Sequence, residues 1–148
     1  MSRNIWIVMA LAMAFVAGFA TREVVPGSAI AHAQGAAPAR VFELRTYTAP
    51  EGKLGDLHAR FRNHTLRIFQ KHGMQNVMYF APTDDPLAKN TLIYVIAHKD
   101  RAAAKASWEA FRTDPEWQKV AADSQVNGRI VEKVESVFMT ATDYSPLK

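Results

Sequence analysis

The stretch VFELRTY, residues 41–47, decides the fold because its side chains alternate between two different sets. A period of two residues is typical of a β-strand with two distinct faces. One face carries Phe42, Leu44 and Thr46. The other carries Val41, Glu43, Arg45 and Tyr47. The pattern predicts a central strand of a small sheet, with the polar face directed into whatever cavity the protein has.

Length and composition describe a globular protein with one principal domain. The 148 residues are 49% hydrophobic and 22% charged, an ordinary balance for a folded chain. The net charge of +4 comes from basic residues scattered along the sequence. Nucleic acid usually selects a clustered basic stripe, so no nucleic-acid partner is predicted. The absence of cysteine excludes disulfides, thiolate catalysis and Cys-based zinc sites.

The first 33 residues have the features of an export signal. Arg3 precedes an uncharged run over residues 5–20, and Ala31-His32-Ala33 provides the small residues of a signal-peptidase site. We predict cleavage after Ala33, a flexible lead-in over 34–40 and a domain over 41–148, located in the periplasm or secreted. After cleavage no membrane association is predicted. Cleavage after Ala20 is one alternative and an uncleaved anchor is another, although the run falls short of the roughly 20 apolar residues of a spanning helix.

Strand and helix patterns alternate through the rest of the chain. The predicted strands cover residues 41–47, 76–82, 91–98 and 129–140, and the predicted helices cover 53–72, 101–112 and 114–124. The order β-α-β-β-α-β is that of a ferredoxin-like α+β sandwich with a four-stranded antiparallel sheet. Right-handed crossovers would place the helices on one face, with strands one and three in the centre.

The opposite face of this sheet is predicted to be apolar and open. Strands two and three have no polar side, so apolar residues face outward in either register. The alternatives are Tyr79 or Met78, Tyr94 or Ile93, and Phe138 or Val137. An exposed apolar surface of this kind calls for a cover. The simplest cover is a second copy packed sheet against sheet, which predicts a homodimer, a dimeric α/β barrel with an enclosed space between the sheets.

Five short motifs occur in a specific order along the chain. They are ELRTY at 43–47, PEGKL at 50–54, HTL at 64–66 followed by KHG at 71–73, DPEW at 114–117, and YSPL at 144–147. In this order and spacing the chain resembles the NIPSNAP family of the dimeric α/β-barrel superfamily, over roughly residues 41–146. The resemblance implies the same ferredoxin-like dimer but no settled activity. The wider superfamily includes cofactor-free monooxygenases, haem-degrading enzymes, isomerases and members with no known chemistry. The export signal departs from the mitochondrial and vesicle-trafficking associations of the animal members, so those roles are not carried over.

Glu43, Arg45 and Tyr47 share one strand face and form the best candidate cluster for ligand binding. A guanidinium that faces a cavity can hold a carboxylate or phenolate in a forked contact. Alternatively, Glu43 and Arg45 pair with each other or across the dimer and only stabilise an interface. Tyr79 and Tyr94 are further candidates, because a tyrosine in a cavity stacks on aromatic ligands and donates a hydrogen bond. As core residues they would only fill volume.

The remaining residues with useful chemistry have simpler explanations. His64, on the shoulder of the first helix's apolar stripe, is a weak candidate for an acid or base. The alternative is a histidine bonded to a backbone carbonyl at the edge of the core. The histidine spacing does not match a helical metal-binding pair, so no metal is predicted, and no cofactor either, with haem ligation through His64 or His98 as the alternative. Trp108, Phe111 and Trp117 recur at helical spacing and are expected to pack in the core.

Three functions remain open at this point. The first is a protein that binds a small apolar or aromatic molecule, either between the sheets of the dimer or between sheet and helices. The second is a cofactor-independent monooxygenase or isomerase-like enzyme. The third is a ligand-free interaction or scaffold protein. No residue constellation in the sequence names a reaction, because a fold alone does not determine function.

Overall fold

A computed structural model describes residues 40–147 of the chain. The strands are β1 (Val41–Thr48), β2 (Gln75–Phe80), β3 (Thr91–His98) and β4 (Lys133–Thr140). The helices are α1 (Leu54–Arg60), α2 (Leu66–Lys71), α3 (Arg101–Thr113) and α4 (Pro115–Asp123). A π-helical segment, Phe61–Thr65, joins α1 to α2, and a short 3-10 helix, Leu87–Lys89, precedes β3. The predicted export signal, its cleavage site and nearly all of the lead-in lie outside the described residues.

The predicted α+β fold is confirmed. The four strands form one antiparallel sheet in the order β2-β3-β1-β4, so the first and third strands are central as expected. The fourth strand begins later than the predicted residue 129. The reason is local, since the Arg129 side chain donates to the Val131 and Glu132 carbonyl oxygens and holds this segment in an irregular bend. Ile130 within the bend is nevertheless buried in the core.

The register of the sheet determines which residues share a face. β1 and β3 pair over their whole length, with Arg45 opposite Tyr94, and β4 places Ser136 opposite Arg45 on the other side. Directly paired residues of antiparallel strands point to the same face. Arg45, Tyr94 and Ser136 therefore project together, and so do Glu43 and Tyr47, two residues before and after Arg45.

The helices cover this same face and bury the core against it. Phe69 is the hub of the core, with its ring 5.0 Å from Phe111, 5.4 Å from Trp108 and 6.0 Å from Tyr94 between centroids. The buried cluster comprises Ala49, Leu57, Phe61, Ile68, Phe69, Met74, Leu92, Tyr94, Ile96, Phe111 and Ile130. Each large apolar side chain that is fully buried contributes about 1.5–3 kcal/mol, so these contacts are the main attachment of helices to sheet.

The other sheet face carries the apolar residues that the sequence left as alternatives. Met78, Ile93 and Val137 lie there, because their pairing partners alternate with Tyr94 and Arg45 along the strands. Tyr79, Tyr94 and Phe138 consequently lie on the helix side. Val137 is 55% exposed, and no helix of the described part of the chain covers this face.

The predicted first helix is interrupted by its π-helical segment. The Leu66 amide donates to the carbonyl of Phe61, and the Thr65 hydroxyl donates to the carbonyl of Arg60 at 3.2 Å. Both are five-residue steps in place of the usual four. Such π segments occur frequently at functional sites, where they re-aim side chains. Here the segment begins directly after Arg60, a buried residue.

Candidate functional site

An open cavity of 770 Å³ lies between α3 and the β1 and β4 strands, on the helix side of the sheet. Its floor is the predicted cluster of Glu43, Arg45 and Tyr47. The remaining lining residues are Arg101, Ala102, Lys105, Trp108, Phe111, Arg112, Trp117, Ser136 and Phe138. The polar face of β1 thus does look into a cavity. Of the two predicted locations, the space between the sheets of a dimer is wrong for these residues. The strand register places their side chains on the face of the sheet that the helices cover.

Glu43 is the most fully bonded side chain of the site. One carboxylate oxygen accepts from Arg45 Nη1 at 2.7 Å and Ser136 Oγ at 2.6 Å. The other accepts from Trp108 Nε1 at 2.7 Å and is bonded to His98 Nε2 at 3.1 Å. Glu43 is almost completely buried, and buried charges are tolerated only when paired and hydrogen-bonded in this way. The carboxylate therefore ties β1, β3, β4 and α3 together.

These bonds determine the charge of Glu43. Burial by itself raises the pKa of a carboxyl group, but the hydrogen bonds from His98, Ser136, Trp108 and Arg45 together outweigh it. The pKa of Glu43 falls from its ordinary value of 4.5 to about 2. Glu43 is consequently an anion at any physiological pH and does not serve as a proton donor there.

Arg45 has bonding capacity left after pairing with Glu43. Its guanidinium donates to the Tyr47 hydroxyl at 3.4 Å and stacks on the Trp108 ring at 4.2 Å. The Nε of Arg45 is buried and has no hydrogen-bond partner within residues 40–147. Burial lowers the pKa of Arg45, but Tyr47, Tyr94 and Glu43 raise it by more, so the group stays positively charged. The predicted pairing with Glu43 is thus real, and it leaves part of the guanidinium unsatisfied.

Positive charge surrounds the mouth of the cavity. Arg101, Lys105 and Arg112 line it and are exposed. Within residues 40–147 none of the three forms a salt bridge, although Arg101 lies 3.3 Å above the Phe138 ring. Four cations, with Arg45 included, therefore face a single carboxylate. Such an excess of one sign in a cleft attracts ligands of the opposite sign.

Aromatic rings form the walls. Phe111 and Trp117 lie 4.3 Å apart between centroids, and Trp108 meets Phe111 edge to face at 5.6 Å. Phe111 is buried, in agreement with the packing role predicted from the sequence. Trp108 and Trp117 are only half-buried and present part of their rings to the cavity. The packing prediction for these two tryptophans is therefore incomplete.

The other predicted site residues lie elsewhere. Tyr94 is fully buried in the core and stacks on Tyr79 at 5.3 Å. Tyr79 donates to Asn76 at 2.5 Å and lines a separate cavity of 270 Å³ beside α1. Burial raises the pKa values of both tyrosines, so each remains a neutral phenol. His64 is exposed and lines a third cavity, next to Arg60. The structure thus brings Tyr47 to Arg45 and Glu43 in the cavity. Tyr94 lies beside them in the core, with its ring 5.4 Å from that of Tyr47, whereas Tyr79 and His64 line other cavities.

Two residues of the site were missed in the sequence. His98 ends β3 and Ser136 sits in the mixed pattern of β4, and both bond Glu43. Neither has a local signal, because each reaches Glu43 only through the pairing of β1 with both neighbours. Alternation in β4 places Ser136 on the face of Val134 and Phe138, opposite Lys133 and Glu135, but it does not indicate a partner for the hydroxyl.

Two further observations concern metals and membranes. Among the described residues, no group of three or more His, Asp and Glu side chains is arranged to hold a metal ion. Between residues 40 and 147, no helix has the length and apolar character needed to cross a membrane. The predictions of no metal and no cofactor stay predictions.

The sheet order, with all helices on one face and a cavity beneath α3, defines a ferredoxin-like α+β protein. Comparison with known families then gives a particular assignment. The profile of the family described as NIPSNAP matches residues 42–146. Because this match covers most of the chain, the protein belongs to the NIPSNAP family, as the motifs at 43–47, 50–54 and 114–117 had indicated.

Solved structures agree with this assignment. A NIPSNAP family protein of unknown function from Agrobacterium tumefaciens is 20% identical, with a TM-score of 0.65 over 75% of this chain and 96% of that one. A NIPSNAP-like domain protein from Burkholderia xenovorans is 16% identical, with a TM-score of 0.64 over 75% and 93%. At these identities the similarity shows the fold alone.

A more distant similarity reaches an enzyme. SnoaB from Streptomyces nogalater, described as a cofactor-independent oxygenase, is 14% identical, with a TM-score of 0.50 over 73% of this chain and 98% of that one. This similarity also shows only the fold. Comparison with curated proteins gives no significant match.

Proposed function

We propose that this protein binds a small, largely aromatic molecule that carries an acidic group, in the cavity between α3 and the sheet. One observation carries the proposal. Arg45 is a cation on the floor of that cavity, held in place by Glu43 and Trp108, with its Nε left without a partner. A guanidinium held in this way is suited to a carboxylate or phenolate, because planar forked contacts add geometry to charge.

The size and lining of the cavity support the same ligand class. Its 770 Å³ is within the range of ~300–1,000 Å³ that small-molecule sites occupy. Trp108 and Trp117 add aromatic surface to the lining, and Lys105 and Arg112 at the rim favour a negative ligand. A neutral apolar molecule would contact the aromatic walls but would form no hydrogen bond with the Arg45 guanidinium.

Binding is expected to be measurable through the tryptophans. The chain has three, of which Trp6 precedes the predicted cleavage site and Trp108 and Trp117 line the cavity. We expect 2-naphthoate to change their fluorescence saturably and 2-naphthamide, its neutral counterpart, to bind at least about tenfold more weakly. Loss of one charge-assisted hydrogen bond costs roughly 1.5–3 kcal/mol, which corresponds to this factor or more. Isothermal titration calorimetry gives the same affinities independently.

Variants separate the charge from the fold. Lys105→Glu reverses an exposed rim charge without touching the core, and it should weaken 2-naphthoate binding by about tenfold. Lys99→Glu is the matched control, because Lys99 is exposed and does not line the cavity. Arg45→Gln should abolish binding, with circular dichroism as the check that the variant is folded. Equal affinity for naphthoate and naphthamide would contradict the proposal, as would equal effects of the two lysine variants.

A second candidate function is a cofactor-independent oxygenase or isomerase-like enzyme. It is supported by the similarity in fold to SnoaB and by the anion-holding position of Arg45, which would stabilise a substrate anion. His64, which lines another cavity, would need no part in it. Oxygen uptake or product formation with a bound aromatic anion favours this function, and binding without turnover favours the binding protein. If nothing binds, the scaffold alternative gains weight.

We also propose that the protein is exported and acts as a homodimer. Residues 1–33 support export, and the open sheet face supports the dimer. That face exposes apolar side chains, among them Val137 and Phe80 at 55% and 53% exposure. Surfaces of this kind usually serve as interfaces. A sheet-to-sheet dimer would bury the apolar face of each copy against that of the other.

Native mass spectrometry of protein from an exported culture tests both statements. We expect a dimer whose subunits begin at Gln34. Val137→Arg should give monomers, because it places a charge in the proposed interface. Val134→Arg, on the same strand but on the opposite face, should leave the dimer intact. A monomeric wild type would overturn the dimer, and a retained residue 1–33 segment would overturn cleavage after Ala33.

A further inference from the structure

Arg60 is a buried cation that has no countercharge among the residues that the structure describes. It is only 7% exposed, and its Nε is buried with no hydrogen-bond partner there. Its one side-chain hydrogen bond in this part of the chain is a long one of 3.5 Å to the Ser124 hydroxyl. No carboxylate within residues 40–147 forms a salt bridge with it. Since a buried charge is normally paired, this guanidinium lacks the partner that Glu43 provides for Arg45.

Both the side chain and the backbone of Arg60 have contacts that hold the residue in position. Its guanidinium lies 5.2 Å from the centre of the Trp117 ring, and its backbone carbonyl accepts from Thr65 within the π-helical segment. Burial lowers the pKa of Arg60, and Tyr47 and Tyr94 oppose this only in part. Burial also lowers the pKa of Arg45, but there Tyr47, Tyr94 and Glu43 together raise it by more, and Arg60 has no carboxylate like Glu43 beside it.

A cavity of 330 Å³ opens directly on Arg60. It lies between α1 with its π-helical extension and the end of α4 with the following loop. Asn63, His64, Ser124 and Asn127 line it with hydrogen-bonding groups. Its volume is at the lower end of the range for small-molecule sites, which suits a ligand of few atoms.

Two carboxylates also line this cavity, but each has its own cation. Asp56 pairs with Lys53 at 3.4 Å, and Asp123 pairs with Lys119 at 2.7 Å. Neither contacts Arg60, so neither supplies the missing charge. The cavity therefore combines a buried, unpaired guanidinium with amide, hydroxyl and imidazole groups around it.

We propose that this cavity is a second ligand site, specific for a small oxyanion, either a carboxylate or a phosphate, which forms a forked hydrogen bond with Arg60. Asn63 and Asn127 would donate to the same anion from the two sides of the cavity. The site is separate from the aromatic cavity beneath α3, which Arg60 does not line. The two cavities share no lining residue, and Trp117, which lines the aromatic cavity, contacts Arg60 through its ring. The inference does not depend on the function proposed for Arg45.

Nuclear magnetic resonance titration of the mature protein tests this site with two probes, inorganic phosphate and succinate. We expect saturable shifts of the amide signals of Asn63, Ser124 and Asn127 with at least one of them. Response to phosphate alone identifies a phosphate site, and response to succinate alone identifies a carboxylate site. The absence of saturable shifts with both probes at tens of millimolar would overturn the proposal.

Two variants of equal charge change provide the control. Asn63→Asp places a carboxylate in the cavity at an exposed position and should weaken anion binding at least tenfold. Gln70→Glu adds the same charge roughly 10 Å further along the helix, where it should change the affinity less than twofold at physiological salt. Arg60→Gln should abolish binding, and Asn63→Asp tests the same site if Arg60→Gln does not fold. Similar effects of Asn63→Asp and Gln70→Glu would also overturn the proposal. Unchanged 2-naphthoate binding in Asn63→Asp would show that the two cavities act independently.

Discussion

Replacing Glu43 with glutamine is expected to lower the free energy of unfolding by about 3 kcal/mol, since the removal of one partner from a buried ion pair costs roughly 3–5 kcal/mol. The low end of this energy range applies because the Arg45 side chain is 15% exposed, so water can partly solvate its charge when the partner is removed. For a domain of this size we expect a fall in melting temperature of roughly 10–15 °C.

The geometry explains why an isosteric amide does not substitute for the carboxylate. The Glu43 oxygens each meet two groups, Arg45 and Ser136 on one and Trp108 and His98 on the other. The Ser136 hydroxyl can turn and His98 can change tautomer, so each can accept from an NH₂ group. Arg45 and Trp108 can only donate. In either orientation, therefore, the NH₂ of glutamine faces a donor.

Urea unfolding followed by circular dichroism measures this loss. Glu135→Gln is the matched control, because Glu135 is exposed on β4 and pairs only with Lys133. Exposed pairs contribute about 0–1 kcal/mol, so this control should stay close to wild type. A loss below about 1 kcal/mol for Glu43→Gln would show that the Glu43 network is not a main support of the fold.

Lowering the pH is expected to remove the contribution that ionised Glu43 makes to the free energy of unfolding. The pKa of Glu43 is about 2 in the folded protein, compared with its ordinary value of 4.5, which applies to the unfolded chain. As the pH falls, the unfolded chain therefore takes up this proton first. The contribution is complete above about pH 5 and is lost between about pH 4.5 and 2. The difference of about 2.5 pKa units corresponds to about 3 kcal/mol.

The comparison of wild type with Glu43→Gln isolates this effect. Other carboxylates also have lowered pKa values, Asp114 among them because of Lys71 and His72, but they are present in both proteins. The gap in unfolding free energy should therefore narrow from about 3 kcal/mol at pH 7 to nearly zero close to pH 2. Unfolding curves at four or five pH values measure it. A gap that stays constant with pH would mean that Glu43 titrates normally in the folded protein.

The strand and helix pattern of the fold could be predicted from local sequence. The alternation at 41–47 predicts β1, and Asp114 followed by Pro115 predicts the start of α4, where Asp114 indeed accepts from the Glu116 amide. These signals work because side-chain period and capping depend on neighbours in the chain. The sequence missed the π-helical segment, because the bonds that form it involve backbone carbonyls common to every residue.

The candidate site was predictable only in part. Glu43, Arg45 and Tyr47 were found because they share one strand face. Tyr79 and Tyr94 were grouped with them on chemistry alone. In the structure they stack on each other and do not line the cavity, although the Tyr94 ring lies 5.4 Å from that of Tyr47. Trp108 and Trp117 were assigned to packing. Helical spacing shows which residues share a face of the helix, but it does not show which of them are buried and which line a cavity.

By itself the sequence determined the order of strands and helices, the two faces of β1 and the family, since each depends on residues close together in the chain. Only the tertiary structure decided that the polar face of β1 meets the helices, and that His98 and Ser136 converge on Glu43. It also decided that Arg60 is buried without a countercharge. These outcomes depend on strand register and helix packing, which join residues as far apart as Glu43 and Ser136. Long-range pairing of this kind leaves no periodic trace in a single sequence.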